Sequence, residues 1–195
     1  MNNKTINYYD ENFENYKINT QKLNFSNIQK IFIKKLKANS TILDFGCGTG
    51  RDTRFFLDNN FNVKAIDGSK KMCQIASEYC NIKVNQILFN DFNEINCYDG
   101  IWACASLLHL PYLELNSVFY KLHDALKKDG ILYTSFKLGT FEGYIDNRYF
   151  TYLTYERFIE IQAIKTLFKI DTYFISEDIR DDTNQKWLNV FLVKK

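Results

Sequence analysis

The residues Ile42-Leu43-Asp44-Phe45-Gly46-Cys47-Gly48-Thr49-Gly50-Arg51-Asp52 have the types and spacing to do chemistry. A short apolar run ends in a carboxylate, three glycines follow at alternate positions, and a helical pattern begins. Glycine permits positive φ and lets a ligand lie against the backbone. A loop that cradles a pyrophosphate on a helix N-terminus would be repelled by a carboxylate at its mouth. An ammonium or sulfonium would be attracted by Asp44. The dinucleotide pattern G-x-G-x-x-G would also need Gly at 51, where this chain has Arg51. The spacing therefore points to a different adenine cofactor, with Gly46, Cys47 and Gly48 as its cradle.

Asp67 lies 23 residues after Asp44, in Ile66-Asp67-Gly68-Ser69 at the end of the second apolar run. A carboxylate there can accept hydrogen bonds from both ribose hydroxyls. Its competing role as a helix N-cap is already filled by Ser69. Asn90-Asp91-Phe92 would lie beside an adenine, with Asp91 accepting the exocyclic amine and Phe92 or Met72 sandwiching the ring. After the fourth apolar run come Ala105, Ser106 and Leu107, placed to line a cofactor. His109 follows as a candidate general base, against the plain reading of a histidine that ties down a loop. Tyr8 or Tyr9 could cover a sulfonium with a ring face.

These residues need a scaffold, and the hydrophobic periodicity supplies one. From residue 40 onward strands are predicted at 40–45, 62–67, 84–89, 98–104, 130–136, 169–176 and 187–193. Helices are predicted at 51–59, 69–80, 114–128 and 154–166. Such alternation predicts right-handed crossovers and a mainly parallel sheet. The last two strands have no helix between them and should form an antiparallel hairpin, which makes the sheet mixed. In an open sheet of this kind ligands sit beyond the carboxyl ends of the strands, where the candidate residues fall. One domain is expected over 1–195: an arm and helix at 1–38 covering the cofactor site, and an α/β core at 39–195.

Composition narrows the class. The chain has 195 residues, 46% hydrophobic and 25% charged, with a net charge of +2, so no strongly charged partner is implied. Five cysteines without a C-x-x-C pair suggest neither a disulfide framework nor a zinc site, and with two histidines no metal is expected. The opening residues lack a cationic-then-apolar leader, and no apolar run reaches the roughly 18 residues of a membrane helix. A cytoplasmic protein without membrane contact is the expectation.

The ordered motifs resemble those of class I S-adenosylmethionine-dependent methyltransferases. Ile42–Gly50 is similar to their glycine-rich first motif, Asp67 to their acidic ribose residue, and Asn90-Asp91 to their adenine-side motif. Tyr98-Asp99-Gly100-Ile101-Trp102-Ala103 is similar to their fourth strand, and Leu126–Leu132 to the turn into the fifth. The opening Tyr-Tyr arm and Lys186–Asn189 resemble small bacterial methyltransferases related to tellurite-resistance methyltransferase. The resemblance implies a Rossmann-like, doubly wound α/β fold. Its seven-stranded sheet would have the order 3-2-1-4-5-7-6, with the last strand antiparallel and helices on both faces. It also implies S-adenosylmethionine as cofactor. Asp44 and carbonyls near Ala103–Ala105 suit its ammonium. Arg51 could pair with its carboxylate, or equally with Asp52.

The methyl acceptor is less legible. Lys137, Arg148 and Arg180 fall in segments expected over the active-site edge and could hold an anionic acceptor, although a solvated surface explains them equally well. Ala103–Ser106 lacks the Asn/Asp-Pro-Pro-aromatic motif of enzymes that methylate base amines in nucleic acids, and no Pro-Cys nucleophile is placed there. A small-molecule acceptor is therefore favoured. The alternatives are a tRNA-modifying methyltransferase, with Lys30–Lys37 as part of a basic track, and a non-catalytic cofactor-binding protein.

Overall fold

The computed structural model describes residues 3–180 and 184–195. Its central sheet starts with β1 (Thr41–Phe45), β2 (Asn62–Asp67), β3 (Val84–Gln86), β4 (Tyr98–Ala103) and β5 (Leu126–Lys137), and ends with β8 (Phe168–Glu177) and β9 (Lys186–Lys194). The order is β3-β2-β1-β4-β5-β9-β8. Strands β1 to β5 pair in parallel, while β9 runs antiparallel to both β5 and β8. This is the expected seven-stranded sheet, with one antiparallel strand near its end. The order reverses between β1 and β4, so a crevice opens beyond Phe45 and Ala103.

The central strands are buried on both faces, as crossover helices require. On one face α6 (Tyr112–Ala125), α7 (Tyr155–Ile159) and α8 (Gln162–Leu167) contribute to an apolar cluster that includes Leu43, Ile101, Phe119, Leu122 and Phe158. On the other, α3 (Ser26–Ile33) and α4 (Arg51–Asp58) add Ile28, Phe32 and Phe56 to Ile42, Trp102 and Tyr133. The Trp102 and Tyr133 rings stack 4.0 Å apart. Helix α5 (Lys70–Cys80) follows β2, and Ser69 caps it by accepting a hydrogen bond from the Met72 amide at 3.1 Å.

Several elements differ from the sequence expectation: β3 ends at Gln86 rather than at 89, β5 begins at Leu126 where the helix is expected to run to 128, and three others change more. The arm forms two short helices, α1 (Asn3–Glu11) and α2 (Phe13–Thr20). The single helix expected over 154–166 breaks at Ile161, which is extended, and α8 restarts where the Asn116 side chain accepts the Ala163 amide at 2.9 Å. The connection after β5 contains a hairpin, β6 (Glu142–Ile145) and β7 (Arg148–Thr151). Its tight turn uses Asp146 and Asn147, both at positive φ, the backbone that a two-residue hairpin turn demands.

Candidate functional site

A cavity of about 220 Å3 opens beyond β1, β4 and β5, and a narrower lobe continues from it toward β2. Both lobes are lined by Tyr9, Tyr16, Gly46, Gly48, Ala105 and His109. The smaller lobe adds Asp67, Met72, Phe89 and Ser106. The larger adds Cys47, Arg51, Asp52, Cys104, Lys137, Arg148, Arg180 and Trp187, among others.

The glycine loop shapes the join between the lobes. Gly46 has φ +85°, and an added Cβ would lie 2.5 Å from Ser106 Cβ. Gly48 has φ +54°, and its missing side chain leaves the backbone beside the Tyr16 ring. Across the loop, the Asp67 carboxylate accepts the Gly48 amide at 2.9 Å and the Ser69 amide at 2.8 Å. Burial raises the Asp67 pKa, and these amides work against that rise. Ser106 Oγ is buried in the smaller lobe without a hydrogen-bond partner. A half-buried carboxylate, an orphaned hydroxyl, and the Met72 and Phe89 side chains fit a nucleoside.

Arg51 is oriented from behind. Its Nε and Nη2 donate to the two oxygens of Asp52 at 2.7 and 2.9 Å, and its guanidinium lies over Phe25 at 4.7 Å. Asp52 also accepts from Gln29 Nε2 at 2.7 Å and Trp102 Nε1 at 2.8 Å. Burial alone would raise the Asp52 pKa. The Arg51 charge and these four hydrogen bonds instead hold it below the usual carboxylate value.

Tyr9 and His109, 100 positions apart in the chain, meet in the cavity. His109 Nδ1 lies 2.7 Å from the Tyr149 carbonyl, which can only accept, so Nδ1 carries the hydrogen. Nε2 therefore accepts from the Tyr9 hydroxyl at 2.8 Å. Burial lowers the His109 pKa to about 4, with Arg148 and Lys137 pushing the same way against the Tyr149 carbonyl. Burial, then Tyr16, raises that of Tyr9. The pair is thus a neutral imidazole and a neutral phenol.

The arm closes over this site through several contacts. Tyr16 packs edge-on against Tyr9, and Gln21 Nε2 donates to the Thr49 carbonyl at 3.1 Å. Asp10 accepts from Ser69 Oγ at 2.6 Å and the Lys71 amide at 3.0 Å. Thr5 Oγ1 accepts the Tyr149 amide at 2.9 Å.

The structure moves several expected residues away from the crevice. Asp44 is 2% exposed and accepts from Thr53 Oγ1 at 2.6 Å. Its side chain faces α4 beneath the loop and lines neither lobe, so a direct Asp44–ammonium contact is replaced by this internal bond. Burial and Asp52 raise its pKa. Asn90 and Asp91 are exposed, and Asn90 donates to Glu114 at 2.9 Å. Phe92 packs in the core against Phe45; the ring facing the smaller lobe is Phe89, three residues earlier. Strand β3 is shorter than expected, so its chain turns back early and shifts this register. Leu107 is wholly buried in the core. Gly68 and Ser69 line neither lobe, since they serve the turn into α5 and the seat of Asp10.

Sequence reasoning missed Tyr16, Asp52, Phe89 and Trp187. Asp52 had a visible signal, a carboxylate next to Arg51 at a helix start. The others depend on which side of an element faces the crevice. Among the described residues no helix is long and apolar enough to cross a membrane.

Comparison with known proteins agrees with this geometry. Residues 42–130 match the methyltransferase domain family. Phosphoethanolamine N-methyltransferase of Plasmodium falciparum is 26% identical over 166 residues, 77% of this chain. The match spans 60% of that relative's length. A Burkholderia thailandensis 1,6-didemethyltoxoflavin N1-methyltransferase, solved with its acceptor and S-adenosylhomocysteine, superposes with TM-score 0.80 at 16% identity, covering 98% of this chain and 88% of that one. A TehB-like S-adenosylmethionine-dependent methyltransferase from Corynebacterium glutamicum superposes with TM-score 0.74 at 17% identity, covering 95% and 99%. Residues 42–130 thus match a methyltransferase domain, and the strand order gives the chain the fold of these S-adenosylmethionine-dependent methyltransferases.

Proposed function

We propose that this protein transfers a methyl group to a small-molecule acceptor by in-line displacement. When bound, S-adenosylmethionine supplies an electrophilic methyl carbon on sulfur, which keeps the carbon–sulfur electron pair. Asp67, Met72, Phe89 and Ser106 would hold its nucleoside. Gly46–Gly48 and Arg51 would hold its amino-acid end. The observation that supports the reading most is that the two lobes share Tyr9 and His109, which stand where the cofactor's two halves would join.

Our reading of the chemistry follows from that placement. The acceptor's proton passes to the Tyr9 oxygen as the Tyr9 hydrogen moves to His109 Nε2. The arm, from Asn3 onward, would exclude water and hold Tyr9 in line, an alignment role. A cavity of about 220 Å3 suits a small acceptor, and the Plasmodium relative is named for one. Lys137 and Arg148 line this cavity, which favours that reading over a surface track for RNA.

Calorimetric titration with S-adenosylmethionine is expected to show saturable binding, with S-adenosylhomocysteine competing. Asp67→Asn should weaken both by roughly tenfold or more, the scale of about 1.5 kcal/mol for hydrogen bonds to a charged group. Binding of NAD in place of S-adenosylmethionine would overturn the assignment. Release of S-adenosylhomocysteine across a small-molecule panel would identify the acceptor.

A further inference from the structure

The larger lobe has an imbalance of charge. Three carboxylates line it: Asp52, Glu177 and Asp178. Each faces a cation of its own, Arg51 at 2.7 Å, Lys186 at 3.5 Å and Arg180 at 2.6 Å respectively. Lys137 and Arg148 line the same lobe, and among the described residues neither forms an ion pair. Arg148 Nε is buried without a hydrogen-bond partner. Among the described residues Lys137 Nζ donates to a neutral phenol, Tyr152, at 3.2 Å.

Both cations are held in place by rings. Lys137 Nζ lies 4.5 Å and the Arg148 guanidinium 5.3 Å from the centroid of Phe150. The Arg148 guanidinium also lies 4.6 Å over Tyr8. Phe150 in turn packs against His109, with centroids 4.9 Å apart. The two cations therefore stand next to the Tyr9–His109 pair.

We infer that Lys137 and Arg148 form an oxyanion subsite, so that the acceptor is a small anion of the phosphate or carboxylate class whose charged group lies beside the methyl-transfer position. This rests on the proposed reading of the cleft as a methyltransferase site. Cations that leave water are normally paired, and an incoming oxyanion supplies the pairing. A guanidinium offers it donors in a fixed fork, and the lysine adds a point charge. Burial, then Arg148 and Arg180, lower the Lys137 pKa and outweigh the opposing pull of Asp178, as expected of cations crowded in a desolvated place. Arg180, bidentate to Asp178, stays at the rim and is not part of the subsite.

The test uses the full chain saturated with S-adenosylhomocysteine and titrated with inorganic phosphate and, separately, with acetate. Saturable binding of either anion is expected, and the tighter one identifies the class. Lys137→Gln and Arg148→Gln should each weaken it tenfold or more, Lys137→Arg should restore it, and the exposed Lys83→Gln should leave it unchanged. Affinity for S-adenosylhomocysteine, measured on every variant, reports folding and the cofactor site. If neither anion binds, or if both Gln variants bind as the parent does, while S-adenosylhomocysteine still binds, the subsite is wrong and the methyltransferase reading stands. If S-adenosylhomocysteine itself fails to bind the parent protein, both fall together.

Discussion

Exchanging His109 for Gln is expected to slow methyl transfer by about 10^2–10^4-fold, the range of a lost general base. Affinity for S-adenosylhomocysteine should change by less than about threefold, under 1 kcal/mol. The imidazole accepts from the Tyr9 hydroxyl at 2.8 Å, and its other nitrogen is committed to the Tyr149 carbonyl. Tyr9→Phe should show a similar loss, because the relay then has no hydroxyl. If the role of His109 were only to hold the loop, His109→Gln would lower the melting temperature and leave the rate of the folded fraction intact.

The low pKa of His109 gives this prediction a pH signature. With a value of about 4, set chiefly by burial, the base form persists through weakly acidic solution. The rate should therefore be nearly the same at pH 5.5 and 7.5, whereas a histidine at the ordinary 6.5 would lose about tenfold. Stability moves differently. The unfolded chain takes up the proton near pH 6.5 and the folded chain only near 4. His109 therefore contributes fully above pH 6.5, and roughly 3 kcal/mol is lost as pH falls from 6.5 to 4. Chemical denaturation of the parent and of His109→Gln across that window would reveal the difference. An acid limb of the rate near 6.5 would count against the buried, neutral imidazole.

Gly46→Ala is the second large effect. A side chain at φ +85° enters left-handed backbone, at about 1–2 kcal/mol. The new Cβ would also stand 2.5 Å from Ser106 Cβ and 3.0 Å from Phe89 Cζ, an overpacking worth about 1–3 kcal/mol. Neither neighbour can swing away, since the Ser106 backbone is held by the His109 amide at 3.2 Å and Phe89 stacks on Phe45 at 4.5 Å. A melting temperature lower by roughly 5–15 °C is expected, along with cofactor affinity reduced beyond measurement. Gly48→Ala meets only the Tyr16 ring, at 3.5 Å, and should cost about 1–2 kcal/mol. Equal melting points for the two variants would show that the approach of Ser106 to the loop is not tight.

Much of this molecule could be read before any coordinates. The alternation of short apolar runs with helical patterns predicts the sheet and its crossovers, and Asp178–Gln185 without a helix predicts the antiparallel β8–β9 pair. The glycine spacing and Asp67 mark the cofactor loop. The β6–β7 hairpin was not legible, because its turn, Asp146-Asn147, lacks the usual glycine, and Gly143 and the polar residues around it hide the short strands on either side.

The orientation of side chains was a different matter. Asp44 ends a strand, yet whether it meets the crevice or Thr53 depends on how α4 packs beneath the loop. Phe89 and Phe92 are both aromatic, and the early end of β3 decides which of them faces the smaller lobe. Tyr9 and His109 are separated by 100 positions, and their partnership passes through Thr5 and the Tyr149 backbone on a hairpin in between. Periodicity and turn chemistry are short-range: each residue's choice depends on neighbours a few positions away, so a linear reading recovers them. Which groups face each other across a cleft is set by long-range packing, in which every helix adjusts to the volume of the side chains beneath it. That information resides only in the folded chain.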